Sequence, residues 1–174
     1  AETAKSFCEL VRNEMQKGVG KLGPVCMMMS DFTRTKETAE VFMRTVKSTL
    51  GSEGLLVESP DMKPCIGLRE RRFGSLEAGP NTRYQDVWSE DCKDPTSTPL
   101  GSEPAISVQR RTWQVVQRCE KELEHDNCLV VMASHGDALQ ILQTAFAGIS
   151  PAQHRELKHL NPAELRELRL PTGT

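Results

Sequence analysis

Apolar residues along this chain recur on two periods, and the places where one period gives way to the other mark out the elements. Ala4, Phe7, Cys8 and Val11 fall at helical spacing, so the sequence opens inside an amphipathic helix. Gly18, Gly20, Gly23 and Pro24 break that pattern, and Val25 to Met29 follow as a short apolar run suited to a strand buried on both faces. The polar stretch Ser30-Asp31-Phe32-Thr33 is expected to cap a helix with the stripe Ala39, Phe42, Met43, Val46 and Leu50, ending near Gly51. Leu55-Leu56-Val57 reads as a second short strand.

From Pro60 to about Pro104 the periodicity lapses into Pro, Gly, Asp and Ser, with Tyr84, Val87 and Trp88 suggesting one helical turn. An irregular stretch of this length inside a compact domain predicts a binding loop or lid rather than a second domain. A long helix then carries Val108, Thr112, Val115, Val116, Cys119 and Leu123 on one face and stops before His125-Asp126-Asn127. Leu129 to Ala133 is a third strand. Ser134-His135-Gly136-Asp137 leads into a helix with Ala138, Leu139, Leu142, Ala145 and Phe146 on its stripe. Glu164 to Leu170 is a last candidate strand, though its alternation is imperfect.

Buried strands alternating with amphipathic helices predict an α/β fold, a mainly parallel sheet with helices on both faces, in a single domain over residues 1–174. Composition agrees: 37% apolar residues over 174 positions suit one hydrophobic core. Lys+Arg 22 against Asp+Glu 24 nearly cancel, which argues against nucleic acid or an anionic membrane as partner, so any anion must be captured locally. On charge alone, Arg69, Arg71 and Arg72 around Glu70 read as a solvated loop. Cys8, Cys26, Cys65, Cys92, Cys119 and Cys128 show neither a CxxC pair nor metal-ligand spacing. Several lie in apolar runs, so they are read as reduced thiols in a reducing, cytoplasmic setting. No apolar run approaches the roughly 20 residues that span a bilayer. The opening segment has no initiator Met and no leader pattern, and further residues are expected upstream.

In a parallel sheet of this kind, ligands bind beyond the carboxyl ends of the strands. Ser30-Asp31-Phe32-Thr33-Arg34 and Ser134-His135-Gly136-Asp137 leave the two best strands there, at two helix N-termini. Such termini offer unpaired N–H groups and partial positive charge, and a guanidinium adds a planar fork matched to phosphate oxygens. Taken singly, Arg34 could be a surface side chain and His135 a satisfied strand-end histidine; their common edge favours an anion site. Gly136 permits close backbone approach to a ligand. Ser134 next to His135 makes a poor hydrolase dyad, because adjacent strand residues point to opposite faces. His125, His135, His154 and His159 share no ligand spacing, so no metal and no other cofactor is expected.

These residues also carry a resemblance. Ser30-Asp31-Phe32-Thr33-Arg34-Thr35-Lys36-Glu37-Thr38-Ala39-Glu40 resembles the Ser-x-x-x-Arg-x-x-x-Thr-Ala-Glu segment of the histidine phosphatases, the phosphoglycerate mutase-like family. Leu68-Arg69-Glu70-Arg71-Arg72-Phe73-Gly74-Ser75-Leu76-Glu77 is similar to its Leu-x-Glu-x-x-x-Gly-x-x-Glu block, and Val130 to Asp137 to its second histidine motif. The three motifs stand in the family's order and cover most of the chain. The resemblance implies that Arg34 holds the phosphoryl group, Glu70 protonates the leaving oxygen and His135 contacts the transferring oxygens. Ser30, Arg71 and Gly136 complete the expected phosphate contacts.

The family's first strand ends in Arg-His-Gly, whose histidine takes the phosphoryl group, and that tripeptide does not occur in these 174 residues. The expectation is therefore a domain lacking its first strand, with residues 60–104 forming an active-site excursion and the nucleophile upstream. Leu76-Glu77-Ala78-Gly79-Pro80 replaces the mutases' usual continuation with its substrate-binding lysine, which favours a phosphatase. The activity implied is a metal-independent phosphomonoesterase working through phosphohistidine on a small phosphorylated substrate or a phosphoprotein. A cofactor-dependent phosphoglycerate mutase is the alternative enzyme, and a phosphate- or protein-binding pseudophosphatase the alternative of another class. The sequence leaves room for an oligomer.

Overall fold

The computed structural model describes residues 2–16, 25–55, 62–77, 79–123 and 129–169. Helix α1 (Glu2–Gln16) precedes strand β1 (Val25–Met29), helix α2 (Thr33–Ser52) and the two-residue strand β2 (Lys63–Pro64). Helices α3 (Tyr84–Asp91) and α4 (Ala105–Glu122), strand β3 (Leu129–Ala133) and helix α5 (Gly136–Ala147) follow. Short 3-10 turns occupy Ile66–Leu68, Gly74–Leu76, Asn81–Arg83, Pro99–Gly101 and Pro151–Glu156.

The strands form one parallel sheet in the order β2-β1-β3, with Val25 opposite Leu129, Met29 opposite Ala133 and Met28 opposite Lys63. Successive strand side chains point to opposite faces, and each face has its own core. Val25, Met27 and Met29, with Leu129, Val131 and Ala133, meet Phe7, Val11, Phe42, Val46 and Leu50 of α1 and α2. Met28, with Val130 and Met132, meets Leu68, Val115 and Cys119 on the other side. This is why β1 is a continuous apolar run buried at all five positions. Full burial of a Val or Leu stabilises by about 1.5–3 kcal/mol, so the stripes of α1 and α2 hold the first layer.

Some expectations change in three dimensions. Helix α2 is not capped by the polar side chains before it: Phe32 is its N-cap residue, and the buried Thr35 hydroxyl donates to the Phe32 carbonyl (2.7 Å) with the Ser30 carbonyl also in reach (2.9 Å). Ser30, fully buried, is used elsewhere. The buried face of α5 is Ala138, Ile141 and Leu142 together with Gln140, Gln143 and Thr144, while Leu139, Ala145 and Phe146 are only half-buried. The reason is that α5 is covered on two sides, by α4 and by the Pro151–Glu156 turn, where the carbonyls of His154 and of Leu157, the residue after the turn, accept from the Gln140 amide.

Residues 164–169 form no strand. The Glu164 carboxylate accepts from the Asn161 main chain and from Arg166, and Arg166 also reaches Gln143 and the carbonyls of Lys158 and His159. Local side-chain bonding of this kind competes with a ladder. Leu165 still packs on the first core, while Leu168 is exposed. Leu55 is irregular; Leu56 and Val57, like the glycines before β1, residues His125-Asp126-Asn127, Cys128 and Leu170, lie outside the described residues.

The excursion is a set of short turns around α3 with a small core of Phe73, Leu76 and Val87, closed by Tyr84 stacked on Phe73 at 3.7 Å between centroids. Gly74 fixes how it folds back. Its φ is +59°, and a Cβ there would lie 2.2 Å from the Leu100 carbonyl oxygen. Gly74→Ala is therefore expected to destabilise by at least ~2 kcal/mol. Gly54, at φ +67° but with nothing within 4 Å of such a Cβ, should lose only about 1 kcal/mol on the same change. Urea unfolding of the two variants checks this, and equal losses would show that the backbone contact at Gly74 is not felt.

Candidate functional site

Because β1 and β3 run parallel with Met29 opposite Ala133, Ser30 and Ser134 leave the sheet at one level, and the Ser30 N–H extends the ladder to the Ala133 carbonyl (2.9 Å). His135, N-cap residue of α5, sits 2.8 Å through Nε2 from Ser30 Oγ, and its Nδ1 lies 2.9 Å from Arg34 Nη2. A guanidinium has no acceptor, so Nδ1 must present its lone pair, and the ring proton is on Nε2, donated to Ser30. Burial, then the cations Arg34 and Arg111, push the His135 pKa down to about 4, so the imidazole is neutral at physiological pH.

Phe32 meets the His135 ring edge-on at 5.0 Å. The guanidinium carbons of Arg34 and Arg69 lie 4.9 and 5.8 Å from the centre of the Phe32 ring. Arg69 is also held by both oxygens of Asp31, at 2.7 and 2.5 Å. Two cations are thus gathered at the end of β1. Helix α5 adds its N-terminal N–H groups, and a Cβ on Gly136 would meet nothing within 4 Å, so the space over that first turn is open.

Glu70 comes to the same helix terminus. Its Oε1 accepts from the N–H groups of Arg71 (2.9 Å) and Ala138 (3.0 Å). Burial raises its pKa above the ordinary value and the nearby Asp137 adds to that, against the pull of the backbone N–H groups. The structure therefore brings Arg34, His135, Ser30 and Gly136 together directly, and joins Glu70 to them through the first turn of α5.

Arg71 departs from the expectation of a phosphate contact. Its guanidinium is fully buried, bonded to both oxygens of Asp91 (2.6 and 2.8 Å), to the Glu103 carbonyl (2.8 Å) and to Asp137 (3.4 Å), which leaves it no face toward a ligand. Ser134 donates to the Leu68 carbonyl at 2.7 Å rather than to His135, as its opposite strand face requires. Phe32, Asp31 and Arg111 are site components that sequence reasoning passed over. Arg111 donates to the carbonyls of Gly67, Arg69 and Glu70 and pairs with Glu103, shaping the 67–70 backbone from forty residues away, a role without local signal. An open groove of about 430 Å³ beside Trp113, Gln109 and Thr144 lies toward the other end of α5 and is lined by none of the site residues.

The neutral imidazole has a measurable consequence. An unfolded His135 would titrate near 6.5 and the folded one near 4, so between these values the unfolded chain binds the extra proton. The stability that His135 contributes is complete above pH 6.5 and is lost as pH falls toward 4. Melting temperatures across this window should decline less steeply in His135→Gln than in the wild type, while the share from His154, also lowered by burial, persists.

Comparison with known proteins gives the arrangement its context. A mycobacterial glucosyl-3-phosphoglycerate phosphatase superposes with a TM-score of 0.59 at 18% identity, covering 91% of this chain and 72% of its own. Its complex with inorganic phosphate gives 0.57 at 20% identity over the same shares. The alpha-ribazole phosphatase of Shigella flexneri gives 0.54 at 18% identity, covering 92% of this chain and 70% of its own. At these identities the likeness is one of fold. No curated protein sequence matches the chain. The family model of the histidine phosphatase superfamily (branch 1) matches residues 15–174, and the chain belongs to that superfamily.

Proposed function

We propose that the protein is a metal-independent phosphomonoesterase that works through a phosphohistidine on a small phosphate ester. The observation that carries this reading is the Arg34–His135 pair at 2.9 Å beside the α5 N-terminus, with a carboxyl group of raised pKa, Glu70, held at the same terminus. Membership of the superfamily supports it, as do neighbours named as phosphatases of glucosyl-3-phosphoglycerate and alpha-ribazole phosphate.

Phosphoryl transfer asks little covalent work of a protein beyond the nucleophile, and depends on cationic and N–H donors placed around the equatorial oxygens. Arg34 and the first turn of α5 would supply them, and the His135 ring, whose Nε2–H goes to Ser30, would orient the Arg34 fork through Nδ1. The nucleophile is the histidine of the family's Arg-His-Gly segment, which these 174 residues do not contain. Its ring nitrogen forms the P–N bond as the P–O bond to the leaving group breaks, and protonated Glu70 gives its proton to the departing oxygen. Water then attacks phosphorus, the P–N bond breaks, and Glu70 takes the proton back. Desolvation suits Glu70 to this, since a carboxyl group that keeps its proton to higher pH is the better acid near neutrality.

Phosphate release from a panel of small esters by protein that includes the Arg-His-Gly segment tests the proposal. Turnover should survive EDTA, fall about 10²–10⁴-fold in Glu70→Gln and about 10²–10³-fold in His135→Ala. Wild-type rates in either variant would sink the reading. Isomer formation without free phosphate would point to a mutase, and binding of inorganic phosphate without turnover to a pseudophosphatase.

A further inference from the structure

Beside the site lies a cluster of buried charge that the proposed chemistry does not use. The side chains of Arg71, Asp91 and His154 are fully buried and that of Asp137 is 5% exposed. One guanidinium here faces two carboxyl groups. His154 does not balance the count: burial pushes its pKa down and favours the neutral ring, and with Nδ1 donating to the Pro151 carbonyl (2.9 Å) that ring turns the lone pair of Nε2 toward Asp91 and Asp137, each 3.9 Å away. His154 Nε2 and Asp137 Oδ1 accordingly have no hydrogen-bond partner. A buried carboxyl group with an unpartnered oxygen is costly, and asks for a function.

The backbone shows what the cluster is coupled to. The two N–H groups that hold Glu70 Oε1 belong to Arg71 and Ala138. The side chains that pair at this point belong to Arg71 and to Asp137, the residue next to Ala138. The Arg71–Asp137 contact thus closes like a buckle over the Glu70 carboxyl group, joining the irregular 69–73 segment to the first turn of α5. Asp91 of α3 grips the guanidinium from the far side, and the Glu103 carbonyl fixes its orientation.

We propose that Asp137, acting through Arg71, is the positioning residue for Glu70: it holds together the two N–H groups that seat the Glu70 carboxyl group and places an unbalanced negative charge beside it. This rests on the reading of Glu70 as the proton donor. The groups that bear on Glu70 are Asp137 from α5, the Arg71, Asp137 and Ala138 N–H groups, Tyr84 from α3 and Arg111 from α4, which donates to the Glu70 carbonyl; Asp91 and His154 stand behind Arg71 and Asp137. Of these, Asp137 is the charged side chain that favours the protonated acid most directly, in keeping with the upward displacement of the Glu70 pKa.

Two substitutions separate position from charge. Asp137→Asn keeps an oxygen for Arg71 and removes the charge; Asp137→Ala removes both. In protein that includes the nucleophile segment, Asp137→Asn should keep the acid-side plateau of kcat and move the alkaline limb to lower pH by about one unit. Asp137→Ala should lower the plateau itself by about 10–100-fold with KM little changed, the scale expected for a misplaced catalytic group. Circular dichroism establishes that both are folded. The Glu70 carboxyl group, followed by carbon-13 NMR and assigned with Glu70→Gln, reads the same effect without turnover and should titrate lower in Asp137→Asn. An unmoved Glu70 titration in Asp137→Asn, or a kcat within twofold of wild type in folded Asp137→Ala, would overturn the inference. If Glu70 shifts as expected while Glu70→Gln keeps full activity, the phosphatase reading fails and the positioning stands; if Glu70→Gln is inactive and the titration is unmoved, the reverse holds.

Discussion

Parallel pairing of β1 with β3 sets Met29 opposite Ala133, and the two segments that follow leave the sheet at the same level. Ser30 and His135 are 105 residues apart in the chain, yet their side chains meet at 2.8 Å because one ladder bond past the strands, from the Ser30 N–H to the Ala133 carbonyl, carries the register outward. A slip of one residue would turn Met27 and Met29 toward α4 and His135 away from Arg34. The register is in turn held by two different cores, one on each face, so neither layer can shift without opening the other. The site is thus placed by hydrophobic packing some distance beneath it.

Above the sheet edge, charge replaces packing as the organising force. Arg111 and Arg71 are spent on backbone carbonyls and carboxylates: Arg111 curls the 67–70 segment, and Arg71 ties that segment to α3 and α5. Burying such groups carries a desolvation cost of several kcal/mol per ion, which a hydrophobic cluster of the same shape would avoid. What the ion pairs provide is direction, since a planar fork accepts only certain approaches of a carboxylate. An irregular segment with few apolar anchors needs that direction to hold Glu70 in one place. The guanidiniums of Arg34 and Arg69, by contrast, remain exposed around Phe32, Arg69 paired with Asp31 and Arg34 with His135.

Much of this was legible in the residue order. The apolar runs at Val25 to Met29 and Leu129 to Ala133 are the two long strands, and the stripes of α1, α2 and α4 are the faces that pack on them. Strand β2 was hidden because Lys63 and Pro64 are both exposed and carry no pattern. The stretch from Glu164 looked like a strand because Leu165, Leu168 and the next leucine mimic alternation, but Glu164 and Arg166 find nearer partners than a ladder could offer. The residue order of α5 shows a one-sided apolar stripe, and covering on two sides brings Gln140, Gln143 and Thr144 inside as well.

The site divides along the same line. Arg34 and His135 could be placed together from order alone, because buried parallel strands deliver whatever follows them to one edge. Glu70 could not, for it lies in a segment without periodicity; only its resemblance to a family motif singled it out. Which of Arg69, Arg71 and Arg72 turned inward was undecidable locally, since the choice depends on Asp91 and Asp137, 20 and 66 residues further along. The sequence by itself determined the strands, the helical faces and the edge at which Arg34 and His135 meet, because hydrophobic periodicity is a local property of the chain. The tertiary structure alone decided that His135 is neutral, that Glu70 is seated on the first turn of α5, and that Arg71 is a strut rather than a ligand, because burial and charge pairing depend on neighbours the chain brings together only by folding.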